Sequence, residues 1–147
     1  MSIEIRPVSR DDHSRWRNLW TEYLNFYNTK LPDNVFDSSW ERLFAEGEFE
    51  PRCFLAMIDG EAVGLVHYLF HRSMWSLEGN CYLQDLFTSQ AARGKGVGAA
   101  LIDAVKTAAA ERGVANVYWM THETNHTAQA LYNRVARRTG FIEYDLL

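Results

Sequence analysis

Thr88-Ser89-Gln90-Ala91-Ala92-Arg93-Gly94-Lys95-Gly96-Val97-Gly98 is the stretch on which the reading of this chain turns. It joins an apolar run, Cys81 to Thr88, to an alanine- and leucine-rich segment, Gly96 to Arg112, that Gly113 closes. The first predicts a strand and the second a helix. A strand-to-helix turn presents free backbone N–H groups and the positive end of the helix dipole, which together make an anion site. Gly94, Gly96 and Gly98 allow a phosphate to approach the main chain without a Cβ in the way. Arg93 and Lys95 add charge. With Val97 between the last two glycines, the run Arg93 to Gly98 is the expected phosphate-binding segment.

Two common phosphate loops fit less well. A Walker A loop needs Ser or Thr after its Lys, and here Gly96 follows Lys95. A dinucleotide fingerprint is formally met by Gly94, Gly96 and Ala99. The approach from the strand is too long for it, however, and no acidic residue ends a strand about 20 positions on.

Working outward, Val117 to Thr121 predicts a further strand and Thr127 to Arg138 a helix closed by Gly140. Phe141 to Leu146 predicts a last strand. Upstream, Cys53 to Ile58 and Ala62 to Phe70 flank Asp59-Gly60, a hairpin signal because both turn positions need positive φ. Ile3 to Arg6 predicts a first strand stopped by Pro7. Asp11 or Asp12 is placed to cap a helix to about Asn28, whose Trp16, Leu19, Trp20, Tyr23, Leu24, Phe26 and Tyr27 form a broad apolar face. Leu31-Pro32-Asp33 breaks it. Ser38 or Ser39 is then read as the cap of a shorter helix through Phe44. The Cys81 to Thr121 unit requires a right-handed parallel crossover. The expected fold is α/β: a mixed, mostly antiparallel sheet with one parallel β-α-β unit and helices on both faces.

At 147 residues the chain is read as one domain, long enough to bury a core without metals or disulfides. Hydrophobic residues at 47% and charged residues at 23% argue against wholesale disorder. A net charge of −4 disfavours a nucleic-acid backbone binder and suits a cationic small substrate. Cys53 and Cys81 sit in apolar strand-like runs and read as reduced, buried thiols. No apolar run is long enough for a membrane span, and the N-terminus lacks signal-peptide character. A cytoplasmic protein is therefore expected.

Arg-x-x-Gly-x-Gly, as Arg93, Gly96 and Gly98, resembles the acetyl-CoA pyrophosphate loop of the GNAT superfamily of N-acetyltransferases. Asn125, Ala130, Leu131, Tyr132 and Gly140-Phe141 are similar to that family's later segment, and the element order matches over nearly the whole chain. Cys81-Tyr-Leu-Gln-Asp-Leu-Phe87 resembles a strand of spermidine/spermine acetyltransferases. Tyr132 to Tyr144 looks more like the yeast histone/polyamine and D-amino-acid acetyltransferase branch. Two departures stand out. Gln84 occupies the place of a Glu proposed as base in the spermidine/spermine enzymes. About four extra residues between Tyr132 and Gly140 imply a last helix one turn longer than in many relatives.

The chemistry implied is attack of an amine on a thioester carbonyl. The ammonium must lose a proton, the oxyanion needs donors, and the departing thiolate needs a proton. By resemblance, the backbone N–H groups of Leu86 and Thr88 bind the pantetheine and polarise the carbonyl. Asn125 holds the pantetheine arm, and Tyr132 is the general acid. Unperturbed phenols titrate near ~10, so Tyr132 is protonated at neutral pH. Asp85 is a carboxylate inside an apolar strand, which period-2 alternation places on one face with Cys81, Leu83 and Phe87. It is either paired structurally or faces the acceptor. Tyr27, Trp40, Tyr68 and Trp75 are possible walls of an acceptor slot. Glu123, beside Asn125, is a possible recognition group for a cation.

His122-Glu123-Thr124-Asn125-His126 matches a zinc-peptidase string, but a zincin needs both His on one helix face. The preceding residues read as strand and Thr124 or Asn125 as a helix cap, so no metal site is expected. His67 and His71 read as surface or core histidines. The leading expectation is an enzyme that moves acetyl from acetyl-CoA to a primary amine: polyamine-like, amino-acid-like or a lysine side chain. A non-catalytic acyl-CoA-binding module is the alternative; it would keep the glycine loop without needing Tyr132 or Asp85. The chain ends soon after Tyr144, so its last strand is expected to need a neighbour, which implies a homodimer. No nucleic-acid or membrane partner is expected.

Overall fold

The computed structural model describes residues 2–147. Its strands are β1 (Glu4–Pro7), β2 (Arg52–Ile58), β3 (Glu61–His71), β4 (Asn80–Thr88) and β5 (Val117–Tyr118). Its α-helices are α1 (His13–Phe26), α2 (Asp33–Arg42), α3 (Val97–Glu111) and α4 (His126–Val135). The sheet runs in the order β1-β2-β3-β4-β5. The first three pairings are antiparallel and β4–β5 is parallel. This is the mixed α/β architecture expected from the sequence. Asp59 and Gly60 both take positive φ, 50° and 80°, as the β2–β3 turn requires.

Alternating side chains divide the sheet between two cores. On one face Cys53, Leu55, Met57, Leu65 and Phe87 meet Trp16, Leu19, Trp20 and Leu24 of α1 and Phe36 and Trp40 of α2. On the other, Ala56, Ile58, Val66, Tyr68, Phe70, Cys81 and Leu83 meet Val97, Leu101, Ile102, Val105 and Ala109 of α3. Each fully buried large side chain contributes about 1.5–3 kcal/mol. Gly64 lies under α3: a Cβ there would stand 2.9 Å from Phe87 O and from Val97 Cγ1. Both cysteines are free and buried, as expected.

Four expectations are corrected. The second helix begins at Asp33, not at Ser38 or Ser39, because extended Pro32 serves as its N-cap and Asp33 opens its first turn. The two serines lie inside it, between the buried pair Phe36 and Trp40. The fifth strand stops at Tyr118 rather than Thr121, since β4 and β5 share only two pairs. The last helix ends at Val135, with Ala136 extended, so it is not lengthened to Arg138. Phe141 to Leu146 forms no strand: no neighbouring strand offers it a ladder, and Phe141, Ile142, Tyr144 and Leu146 stay exposed.

Candidate active site

The loop between β4 and α3 presents free amides and open space at a helix start. Gly94 and Gly96 take left-handed φ values of 78° and 87°, and Gly96 is the N-cap of α3. The first bond of the helix is Ala100 N–H to Gly96 O at 3.1 Å. The amides of Val97, Gly98 and Ala99 thus lie free at a helix start. Nothing stands within 4 Å of a Cβ built on Gly94 or Gly96, so the space over both is open. Gly98 differs: its Cβ would lie 3.0 Å from Leu131 Cδ2, so it serves the packing of α4 on α3. Arg93 donates through Nε to Thr88 O at 3.2 Å, and its guanidinium lies over the Phe26 and Phe87 rings. Lys95 is exposed.

Beside this loop the sheet opens. β5 pairs with β4 only at Cys81–Val117 and Tyr82–Tyr118, whereas β4 runs on to Thr88. Ser89 N–H donates to Val63 O at 2.8 Å, so Ser89 and Phe87 turn their amides toward β3. Alternation then turns the amides of Leu86 and Thr88 away from β3, into the gap that β5 leaves. Across the gap, Asn125 caps α4 by accepting from Ala128 N–H at 3.3 Å, which leaves its side-chain NH2 to donate elsewhere. Phe26, at the end of α1, separates two open clefts. One, of about 370 Å³, is lined by Tyr27, Asn28, His122, Thr124 and Asn125; the other, of about 410 Å³, by Glu22, Asn25, Phe87, Gln90 and Arg93.

A bulge decides where Asp85 points. His67 faces Asp85 and Tyr68 faces Leu83, so Gln84 is the extra, unpaired residue. The strand alternation resets there. Cys81 and Leu83 face α3, while Asp85 and Phe87 face α1. Asp85 therefore does not share a face with Cys81 and Leu83, as simple alternation predicted. Gln84 is exposed. The Asp85 side chain, 15% exposed, is held by two donors. Tyr23 O–H donates to Oδ1 at 2.9 Å, and His67 Nδ1 lies 3.0 Å from Oδ2. Trp16 Nε1–H, which can only donate, points at His67 Nε2 at 2.9 Å. His67 is thereby neutral, with its proton on Nδ1 and aimed at Asp85.

Tyr132, on α4, packs edge-on against Trp119 with ring centroids 5.4 Å apart. Burial, with a smaller effect from Tyr27, pushes its hydroxyl up to about 12. Burial also raises Tyr23, and the charge of Asp85 and the proximity of Tyr27 and Tyr132 raise it further. Tyr23 and Tyr132 thus stay protonated at neutral pH.

The acetyltransferase (GNAT) family matches residues 13–136. The chain belongs to the GNAT acetyltransferase family. It is 37% identical over 144 residues to the D-amino-acid N-acetyltransferase HPA3 of Saccharomyces cerevisiae, covering 97% of this chain and 89% of that protein. It is 28% identical to the uncharacterized N-acetyltransferase YhfO of Bacillus subtilis, over 98% and 97% of the two chains. Among solved structures it resembles AAC(6')-Iy in complex with the bisubstrate analog CoA-S-monomethyl-acetylneamine. The TM-score is 0.86 at 20% identity, over 100% and 99% of the chains. The ribosomal-protein-alanine N-acetyltransferase of Brucella melitensis biovar Abortus has the same fold, with a TM-score of 0.79 and 20% identity over 99% of each chain.

In this GNAT domain the His-Glu-x-x-His string is split. Residue His126 opens α4, whereas His122 lies in the connection before it and engages Thr124 Oγ1 at 2.7 Å. The two imidazoles do not share a helix face. Of the four possible slot aromatics, Trp40 and Tyr68 are core, Trp75 is almost fully exposed on the β3–β4 loop, and Tyr27 lines a cleft. The sequence reading missed Trp16, Tyr23 and His67 as a unit. No local signal set His67 opposite Asp85, because the β3–β4 register depends on the loop between them and on the bulge.

Proposed function

We propose that this acetyltransferase moves acetyl from acetyl-CoA to the primary amine of an amino-acid-like small molecule, as a single catalytic domain. The supporting observation is a largely buried carboxylate with no counter-cation among the described residues. Two aspartates are withdrawn from solvent, Asp12 fully and Asp85 for the most part. Asp12, 1% exposed, is neutralised by Arg6 at 2.7 Å and Arg15 at 3.3 Å. Asp85 meets only neutral donors among the described residues, Tyr23 and His67. A half-dry negative charge without a cation is costly. A ligand ammonium supplies the missing charge, and Asp85 then receives it and takes its proton directly or through water.

The cradle residues fit the nucleotide thioester. Gly94 and Gly96 leave open space over free amides, and Arg93, Lys95, Val97 and Gly98 complete the phosphate segment. The N–H groups of Leu86 and Thr88 and the side chain of Asn125 line the gap that would take the pantetheine arm. When bound, the thioester supplies an electrophilic carbonyl. In this reading the Leu86 amide stabilises the oxygen that gains charge, and Tyr132 gives its proton to the leaving sulfur. The name of the yeast relative favours an amino acid as acceptor, and Asn28, His122 and Thr124 offer donors for its carboxylate. The same reading has a cytoplasmic homodimer that uses neither metal nor nucleic acid. No helix among the described residues is long and apolar enough to cross a membrane. The exposed apolar tail supports pairing of two copies.

Thermal melts test the cradle. Acetyl-CoA at 100 times its Kd should stabilise the fold by about 2.7 kcal/mol, with ATP and NAD doing far less. Equal shifts for ATP and acetyl-CoA would overturn the assignment. A monomeric mass by light scattering at micromolar concentration would remove the dimer.

A further inference from the structure

We infer that His67 is a positioning residue of the acceptor site, locked in one tautomer by Trp16, and that it holds Asp85 ready for the ammonium. This inference rests on the reading of Asp85 as the group that meets the amine. Four side chains form one line: Trp16 from α1, His67 from β3, Asp85 from β4, and Tyr23 from α1 again. Each link has one possible direction. Trp16 Nε1–H donates to His67 Nε2, so the imidazole proton sits on Nδ1. That proton is donated to Asp85 Oδ2, and Tyr23 O–H is donated to Oδ1.

Two consequences follow for the chemistry. First, both carboxylate oxygens are held, so Asp85 cannot rotate and its remaining lone pairs keep a fixed aim. Second, His67 is prevented from becoming an internal rival to the substrate. An imidazolium would carry a proton on Nε2 directed at the Trp16 N–H, which the 2.9 Å approach of two donors forbids. A cationic His67 would satisfy the Asp85 charge from within and displace the ammonium. The Trp16 indole, fully buried under α1, holds that place for the acceptor. A merely structural role fits less well. Two neutral donors on a largely buried carboxylate, one of them backed by Trp16, cost desolvation that apolar side chains of similar volume would not.

The test uses the intact enzyme with D-phenylalanine as acceptor probe, or the best-used amine of an amino-acid panel if D-phenylalanine is not turned over. His67→Leu removes the Nδ1 donor. Loss of a hydrogen bond to a charged group should lower acceptor kcat/KM by roughly 10- to 100-fold, while the KM for acetyl-CoA stays unchanged. His67→Asn places an amide N–H where Nδ1 stood and should restore most of the loss. In parallel, the nitrogen-15 spectrum of wild-type His67 at neutral pH should show the neutral Nδ1–H tautomer. A cationic ring or the Nε2–H tautomer overturns the inference. So does a folded His67→Leu with wild-type acceptor kcat/KM. If His67→Leu does not fold, failure of a folded His67→Asn to keep acceptor kcat/KM near wild type overturns it instead. Asp85→Asn separates the two layers. Undiminished acceptor use in that variant removes the Asp85 reading itself, whereas impaired Asp85→Asn with unimpaired His67→Leu removes only the positioning role.

Discussion

Tyr132→Phe should abolish most of the chemical step and leave the fold almost untouched. The structure sets both halves of that expectation. The Tyr132 hydroxyl makes no hydrogen bond to another described residue, and the ring packs on Trp119 with carbon atoms that Phe retains. Removing the oxygen therefore breaks no internal bond, and the melting temperature should stay within about a degree or two, corresponding to a change under ~0.5 kcal/mol. The same hydroxyl is pushed up to about 12 by burial, so at pH 7 to 8 it is wholly protonated and available to donate. Loss of a positioned general acid typically costs ~10²- to 10⁴-fold in rate, or roughly 3–5 kcal/mol of barrier. Because the proton is given only as the thiolate departs, the loss should fall on kcat rather than on acetyl-CoA affinity. A thiol-release assay at saturating acetyl-CoA and acceptor reads kcat directly. The residual rate should rise when the donor carries a more acidic leaving thiol. An undiminished kcat, under conditions where chemistry limits the rate, would refute the assignment.

Two further outcomes follow from the structure. Gly96→Ala should be strained at φ 87° yet meets no atom, so it should cost about 1–2 kcal/mol of stability and weaken acetyl-CoA binding through the cradle; a melt and a titration check both. Asp12→Asn should destabilise the fold by about 3 kcal/mol, read by urea titration, because it leaves Arg6 and Arg15 without their buried partner. The bond from Arg6 holds the Asp12 carboxyl well below the usual carboxylate range. The unfolded chain, with a value near ~3.9, then binds the proton more readily than the native state. The Asp12 contribution is complete above about pH 5 and falls as the pH drops through about 4 toward the native value. Asp12→Asn should not show that component of acid destabilisation.

The parts of the fold that were legible in the sequence are those fixed by local chemistry. Paired positive-φ residues at Asp59-Gly60 forced the hairpin, and the glycine run before an alanine-rich helix set the open turn that starts α3. Tyr132 and Asn125 were singled out by resemblance to the GNAT family's later segment, not by local chemistry. Features decided by neighbours were not legible. The bulge at Gln84 adds one residue to β4 without any local mark, and it moves Asp85 from the α3 face to the α1 face. That single reset is also why His67, Trp16 and Tyr23 escaped notice, since they meet Asp85 only on the reset face. Phe141 to Leu146 has the alternation of a strand but lies beside none. A strand needs its partner's ladder as much as its own sequence, and here that partner would have to come from elsewhere. Helix α2 was misplaced because Pro32 was read as a stop when it serves as a start.

The most direct test of the acetyltransferase account is a single reaction of purified protein, acetyl-CoA and D-phenylalanine, followed by mass spectrometry of the amine and by free thiol. The account predicts N-acetylated amine and CoA formed in equal amounts, with both greatly reduced in Asp85→Asn and Tyr132→Phe. If acetyl-CoA binds tightly but no amine in a panel of D- and L-amino acids and diamines is acetylated, the chain is a non-catalytic acyl-CoA-binding module and the account is wrong.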